Sequence, residues 1–298
     1  MLRRILLASA GAMALAAVAQ AAEPLPLPPP PPPPPQWTGF YLGINAGGTW
    51  SSDNNIDTLA VPVTEFAGFE PLTNTSALLA TTRIPVEVSG FIGGGQWGYN
   101  YQWNNWVIGA EGDIQGIASG NRESRRFTQA TAFGVDGIGD VAVNQLALAA
   151  RQVFWLGTDR ARIGFLVWPT FLVYGTGGLA YGETQLRVAI GQAAFNPVLA
   201  IASTPAVGRF DQTLAGWTAG GGVEWLFLPN WSLKVEYLYY DLGRVTNGLS
   251  PLTHTAAIVG IPLTVTDNLA SNRFNGNIVR AGLNYHFNLA PPPIVAKY

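Results

Sequence analysis

The sequence predicts an all-β protein, an eight-stranded antiparallel up-and-down barrel that crosses a membrane through its strands. Three observations carry this reading. Only 11% of the 298 residues are Asp, Glu, Lys or Arg, while 48% are hydrophobic. An ordinary soluble domain carries about 25% charge, and disorder combines high charge with low hydrophobicity. Apolar and polar residues alternate with a period of two in segments of roughly ten residues, the pattern of a membrane barrel strand. The connections between these segments alternate between short and long.

Composition narrows the chemistry first. With 16 basic and 18 acidic residues, the chain lacks the basic face that nucleic acid requires. It has no cysteine and only two histidines, so disulfides, thiolate metal centres, thiol catalysis and a His-based metal site all drop out. No cofactor, metal ligand or catalytic residue is expected.

The N-terminus reads as an export signal over residues 1–21: Arg3 and Arg4, an apolar run from Ile5 to Ala19, and Ala19-Gln20-Ala21 as a small-x-small cleavage site. Residues 22–36 hold Pro24, Pro26 and an unbroken run from Pro28 to Pro35, a stiff polyproline spacer in the periplasm. The barrel spans 37–287. Its strands are placed at 37–48, 90–102, 106–115, 155–166, 170–183, 216–228, 231–242 and 277–287. Val279, Ala281, Leu283, Tyr285 and Phe287 alternate with Arg280, Gly282, Asn284 and His286, and Leu233, Val235, Tyr237 and Tyr239 with Ser232, Lys234, Glu236 and Leu238. A helix would carry Lys234 and Glu236 onto two faces, one of them in lipid.

Asn104-Asn105, Trp168-Pro169 and Pro229-Asn230 are tight turns. The other connections, 49–89, 116–154, 184–215 and 243–276, are long loops. Short periplasmic turns and long extracellular loops place both termini in the periplasm. Val141–Val143 and Leu186–Ile190 look like strands continuing above the membrane. Trp37, Trp103, Trp106, Trp155, Trp168, Trp217 and Trp231, with Trp50 and Trp225, stand at strand ends and are expected to form the two aromatic girdles.

Alternation turns Glu111, Asp113, Arg160, Arg162, Glu224, Lys234, Glu236 and Arg280 inward, four acids against four bases. Eight strands enclose a space just wide enough for side chains to fill, and charges held there must be paired. The expectation is a salt-bridge network that plugs the barrel; the other reading is an ion path whose pairs swap partners. A ring of one sign, which would favour a selective channel, is missing. Gly93-Gly94-Gly95 and Gly220-Gly221-Gly222 lie within alternating strands and lack the Lys and following helix of a phosphate loop. His254, with Ser250 and Asp267 near it in sequence, has nothing to order it as a catalytic group.

Several stretches resemble the alphaproteobacterial major outer-membrane protein family, small opacity-like barrels. They are Trp37-Thr38-Gly39-Phe40-Tyr41, residues 93–102 (GGGQWGYNYQ), 174–182 (YGTGGLAYG), 216–225 (GWTAGGGVEW), 234–243 (KVEYLYYDLG) and 277–287 (NIVRAGLNYHF). All lie in expected strands. The resemblance implies an integral outer-membrane barrel with roles in envelope integrity and surface or host interaction, and no enzyme activity. The implied partners are outer-membrane lipids and lipopolysaccharide, the barrel-assembly machinery during insertion, and a surface or host ligand at the loops. Arg122, Arg125 and Arg126 are candidates to meet lipopolysaccharide phosphates. The alternative function is a narrow pore or carrier of small solutes. Two positions depart from the family. Asp159 stands where the family has an apolar residue and is expected near the extracellular rim. Asn288–Tyr298, with Pro291 to Pro293, follows the strand matching the family's end and is expected to form a periplasmic tail.

Overall fold

The computed structural model describes residues 37–65, 67–120, 123–257 and 260–287. The export signal, the proline spacer, the tail after Phe287 and Arg122 lie outside them. In chain order the strands are β1 (Gly39–Ser51), β2 (Asn55–Glu65), β3 (Arg83–Pro85), β4 (Ser89–Trp103), β5 (Trp106–Ser119), β6 (Ser124–Val135), β7 (Gly139–Trp168), β8 (Phe171–Phe195), β9 (Ile201–Thr204), β10 (Ala206–Leu228), β11 (Trp231–Ala256) and β12 (Pro262–Phe287). One helix, α1 (Glu70–Ala80), separates β2 from β3.

Eight of these strands close a ring in the order β1-β4-β5-β7-β8-β10-β11-β12, all antiparallel. β12 completes it by pairing with both β11 and β1, from Phe40 opposite Phe287 to Ser51 opposite Gly276. Closure satisfies every strand edge at membrane depth, where no water is present to do so. Among the described residues no helix is long and apolar enough to cross a membrane; the crossing elements are strands. The period of two sorts the side chains as expected. Phe40, Leu42 and Ile44 are exposed on the outside of β1, while Tyr41 and Asn45 are buried inside.

The tight turns cap one end. Asn104 takes a positive φ of 53°, which Asn tolerates because its short amide bonds locally. The turn carbonyls are used by neighbouring hairpins: Leu166 N–H donates to Asn105 O, Leu226 N–H to Thr170 O and His286 N–H to Asn230 O.

At the opposite end the strands expected to continue above the membrane at Val141–Val143 and Leu186–Ile190 do so, and most of the rest of the expected loops is strand as well. β7 runs for 30 residues, β8 for 25, and β11 and β12 for 26 each, so the wall continues far beyond a bilayer's hydrocarbon. β1, β4 and β5 stop after 13 to 15 residues. Above them, β2 extends the wall from β12 and β6 extends it from β7. β2 and β6 do not pair with each other; α1 packs against both. The helix buries Leu72, Thr73, Ser76, Ala77 and Ala80. Pro71 and Glu70 in its first turn are ordinary helix-start signals, but the Thr-Asn-Thr-Ser run behind them has weak helix propensity and hid it. This strand-built upper storey encloses a second apolar core that includes Phe69, Leu72, Val135, Val141, Val143 and Leu263.

Candidate functional site

The inward faces of β5, β7, β10, β11 and β12 bring all eight lumen charges into one layer. Each is buried, none more than 3% exposed. Arg160 sits at the centre, 2.5 Å from Glu111, 2.9 Å from Asp113 and 3.0 Å from Glu236. Arg280 reaches Glu236 at 2.6 Å and Asp113 at 2.8 Å. Lys234 lies 2.6 Å from Glu111. Arg162 pairs with Glu224 at 2.7 Å and stacks over the Tyr174 ring at 4.1 Å. Desolvation of ions this deep is offset only by close pairing plus hydrogen bonds to the remaining donors and acceptors.

Those further bonds come from uncharged inward residues that charge-reading alone does not find. Tyr41 donates to Glu111 at 2.5 Å and Tyr174 to Glu236 at 2.9 Å. Thr158 and Gln115 donate to Asp113. Ser232 and Asn284 donate to Glu224, and a relay from Asn45 through Gln96 reaches Asn284. His286 Nε2 lies 3.4 Å from Glu224. The signal that could have found them is the same parity that found the charges.

Register explains how a narrow barrel holds side chains this large. Glu111 faces Gly98 across the sheet, Arg162 faces Gly109, Arg160 faces Gly178, Glu236 faces Gly222, Lys234 faces Gly282 and Arg280 faces Gly47. On the other flank, two ion pairs lie directly opposite each other in register, Glu111 with Arg160 and Glu236 with Arg280, while Lys234 stands opposite Glu224. A methyl on Gly178 would stand 2.1 Å from Asp159 O and 2.7 Å from Arg160 Cα. The glycines thus leave room for the ionic layer.

Apolar layers close the ionic layer on both sides. Below it, Trp37, Val107, Leu166, Leu172 and Leu226 cluster with Tyr174; above it lie Ile92, Ile117, Leu156, Leu238 and Ile278. Trp37 corrects the girdle assignment. It is fully buried, its indole N–H donates to Pro169 O at 3.1 Å, and its backbone N–H donates to Gln102 Oε1 at 2.9 Å. Preceding the first strand, it is free of that strand's alternation and folds under the barrel onto apolar residues. The other tryptophans point outward, with cross-strand ring contacts at both levels. Trp106, Trp168 and Trp231 meet Phe165, Phe171 and Tyr285 at the turn end, where Trp103 also lies. Trp155 and Trp217 meet Tyr181 and Tyr239 at the other level. Asp159 points outward and accepts from Tyr181 at 3.2 Å, which ties it to the upper aromatic level.

Arg125 and Arg126 are exposed on β6; Arg125 pairs with Glu123 at 3.2 Å, and Arg126 donates to Arg83 O. His254 does not meet Ser250 or Asp267. It is buried between Ser203 on Nδ1 at 2.7 Å and Gln192 on Nε2 at 3.0 Å, while Ser250 accepts from Val207 N–H.

The chain matches the family described as outer membrane protein beta-barrel domain over residues 5–287. A 31 kDa outer-membrane immunogenic protein of Brucella melitensis is 34% identical over 252 residues, 84% of each chain. A 22 kDa outer membrane protein of Rhizobium leguminosarum is 26% identical over 148 residues, 48% of this chain and 49% of its own. Among solved structures, OprG from Pseudomonas aeruginosa aligns with 85% of this chain and 97% of its own at 10% identity and a TM-score of 0.33, a likeness too loose to carry weight.

Proposed function

The chain belongs to the outer-membrane β-barrel family and is an integral outer-membrane protein, and from that premise we propose that it is a plugged, non-conducting barrel. In this reading it reinforces the envelope and uses its tall upper storey as an extracellular interaction surface. The observation that carries the proposal is the stacking of an apolar, an ionic and a second apolar layer across the lumen. A neutral layer in which every charge has an ion-pair partner offers a permeant ion little that the resident charges do not already hold. Orientation follows the barrel rule: turns in the periplasm, upper storey outside. The name of the Brucella relative, an immunogenic outer-membrane protein, supports a surface role for the outer storey. Arg125 and Arg126, with Arg122 beside them in sequence, are proposed to meet lipopolysaccharide phosphates.

A narrow pore is the competing reading, favoured by the lack of any hydrogen bond to Arg280 Nη1 and Arg162 Nε within the plug. Planar-bilayer recording of the refolded full chain separates the two. The plug predicts no current steps above the lipid leak; regular steps of one size would overturn it.

A further inference from the structure

We propose that Arg151 holds a small inorganic anion of halide size in the cavity beside it, inside the upper storey. Arg151 lies on the inward face of β7 and is only 7% exposed. Its Nη1 donates to Asn272 Oδ1 at 3.4 Å and Arg273 O at 3.2 Å; its Nη2 donates to Asn54 Oδ1 at 3.4 Å and to Asp53 O. Every one of these acceptors is neutral. The three lumen arginines, still more deeply buried, each touch at least one carboxylate. Arg151 has no carboxylate within ion-pair distance among the described residues. Asp53 gives it only a backbone oxygen, while its carboxylate accepts from Asn55 N–H. The nearby Asp241 is taken by Arg273. The Asp53 carboxylate acts on Arg151 only from beyond ion-pair distance, and a buried cation without a close counter-charge is an arrangement that protein interiors avoid.

The missing charge has a place to sit. A cavity of about 30 Å³ borders Arg151, mostly apolar in its lining through Trp50, Val88, Ile117 and Phe274, with Thr49, Ser51, Tyr240 and Asn275 supplying polar groups. Arg151 Nε–H makes no hydrogen bond among the described residues and is free for an occupant. Space of this order admits a monoatomic ion or one to two waters. That volume fits a small anion better than phosphate, sulfate or a sugar acid, and the guanidinium disfavours a cation. A halide satisfies charge and size together.

The test uses the refolded full chain in zwitterionic detergent, with folding verified by heat-modifiable gel migration. The ³⁵Cl NMR line width in sodium chloride is compared for wild type, Arg151→Met and Phe274→Trp, the last filling the cavity while keeping the charge. Wild type should show excess line width that bromide titrates away, and each folded variant should lose it. If Arg151→Met fails to fold, Phe274→Trp carries the test alone. No excess in wild type, as for a cavity holding water only, or an unchanged excess in a folded variant, would overturn the proposal.

Discussion

Arg280 donates to Glu236 and Asp113 from within the buried ionic layer. Removing it leaves carboxylates buried with less compensation, and losses of this kind run to about 3–5 kcal/mol. Arg280→Ala should therefore lower the urea midpoint of the barrel in lipid vesicles by a corresponding amount. The double variant Arg280→Met with Glu236→Leu should lose less than the single one, because it removes both charges and keeps the volume. A double variant worse than the sum of the singles would contradict the ion-pair account. Trp37→Ala empties the apolar layer at the turn end, and large-to-small changes at such sites cost about 3–5 kcal/mol; the same urea measurement should register it. At this scale the sequence was legible wherever strand parity applied. All eight charges followed from it, and Tyr41 and Tyr174 could have. Trp37 was not legible, because its place depends on which surface the chain meets just outside the first strand.

The upper storey hangs together through a short buried relay. His254 on β11 joins Ser203 of β9 to Gln192 of β8; Gln192 in turn bonds Ser76, and Gln145 bonds Leu79 O, both on α1. Only neutral groups bond the His254 ring, and burial lowers its pKa from 6.5 to about 4. The unfolded chain takes up the proton at the higher pH. The stabilisation is therefore complete above pH 6.5 and is lost as pH falls from there to about 4, a span worth on the order of 3 kcal/mol. Limited proteolysis between residues 67 and 82 should accelerate over that window in wild type and stay flat in His254→Leu. Equal acceleration in both would assign the effect to other groups. The membrane-spanning strands were readable because lipid outside and charge inside impose a strict alternation. α1 and most of the strand extensions meet a mixed environment on each face, so their pattern is weaker and, Val141–Val143 and Leu186–Ile190 apart, they read as loops.

For the molecule as a whole, closure is the property to test. A boiled sample should migrate differently from an unboiled one on a denaturing gel. Gly178→Leu should abolish the folded band, because the new side chain starts inside backbone contact distance of β7. The eightfold ring was legible from the rhythm of short and long connections. The enclosed upper storey was not, because it depends on pairings between β2 and β12 and between β6 and β7 that local sequence does not announce.

The glycine opposite six of the eight charges has one more consequence, for how the barrel assembles. The smallest slip that keeps the correct side chains facing inward is two residues. Sliding β11 that far along β12 sets Lys234 opposite Arg280 or Asn284 in place of Gly282, and sliding β10 along β11 sets Glu236 opposite Glu224 or Gly220 in place of Gly222. One direction of error brings like charges together in a dry interior, and the Asn284 alternative crowds Lys234 against a side chain where it had a glycine. The ionic layer thus acts as a proofreader of strand alignment, penalising misregistered closures that the largely apolar lipid-facing surface would accept.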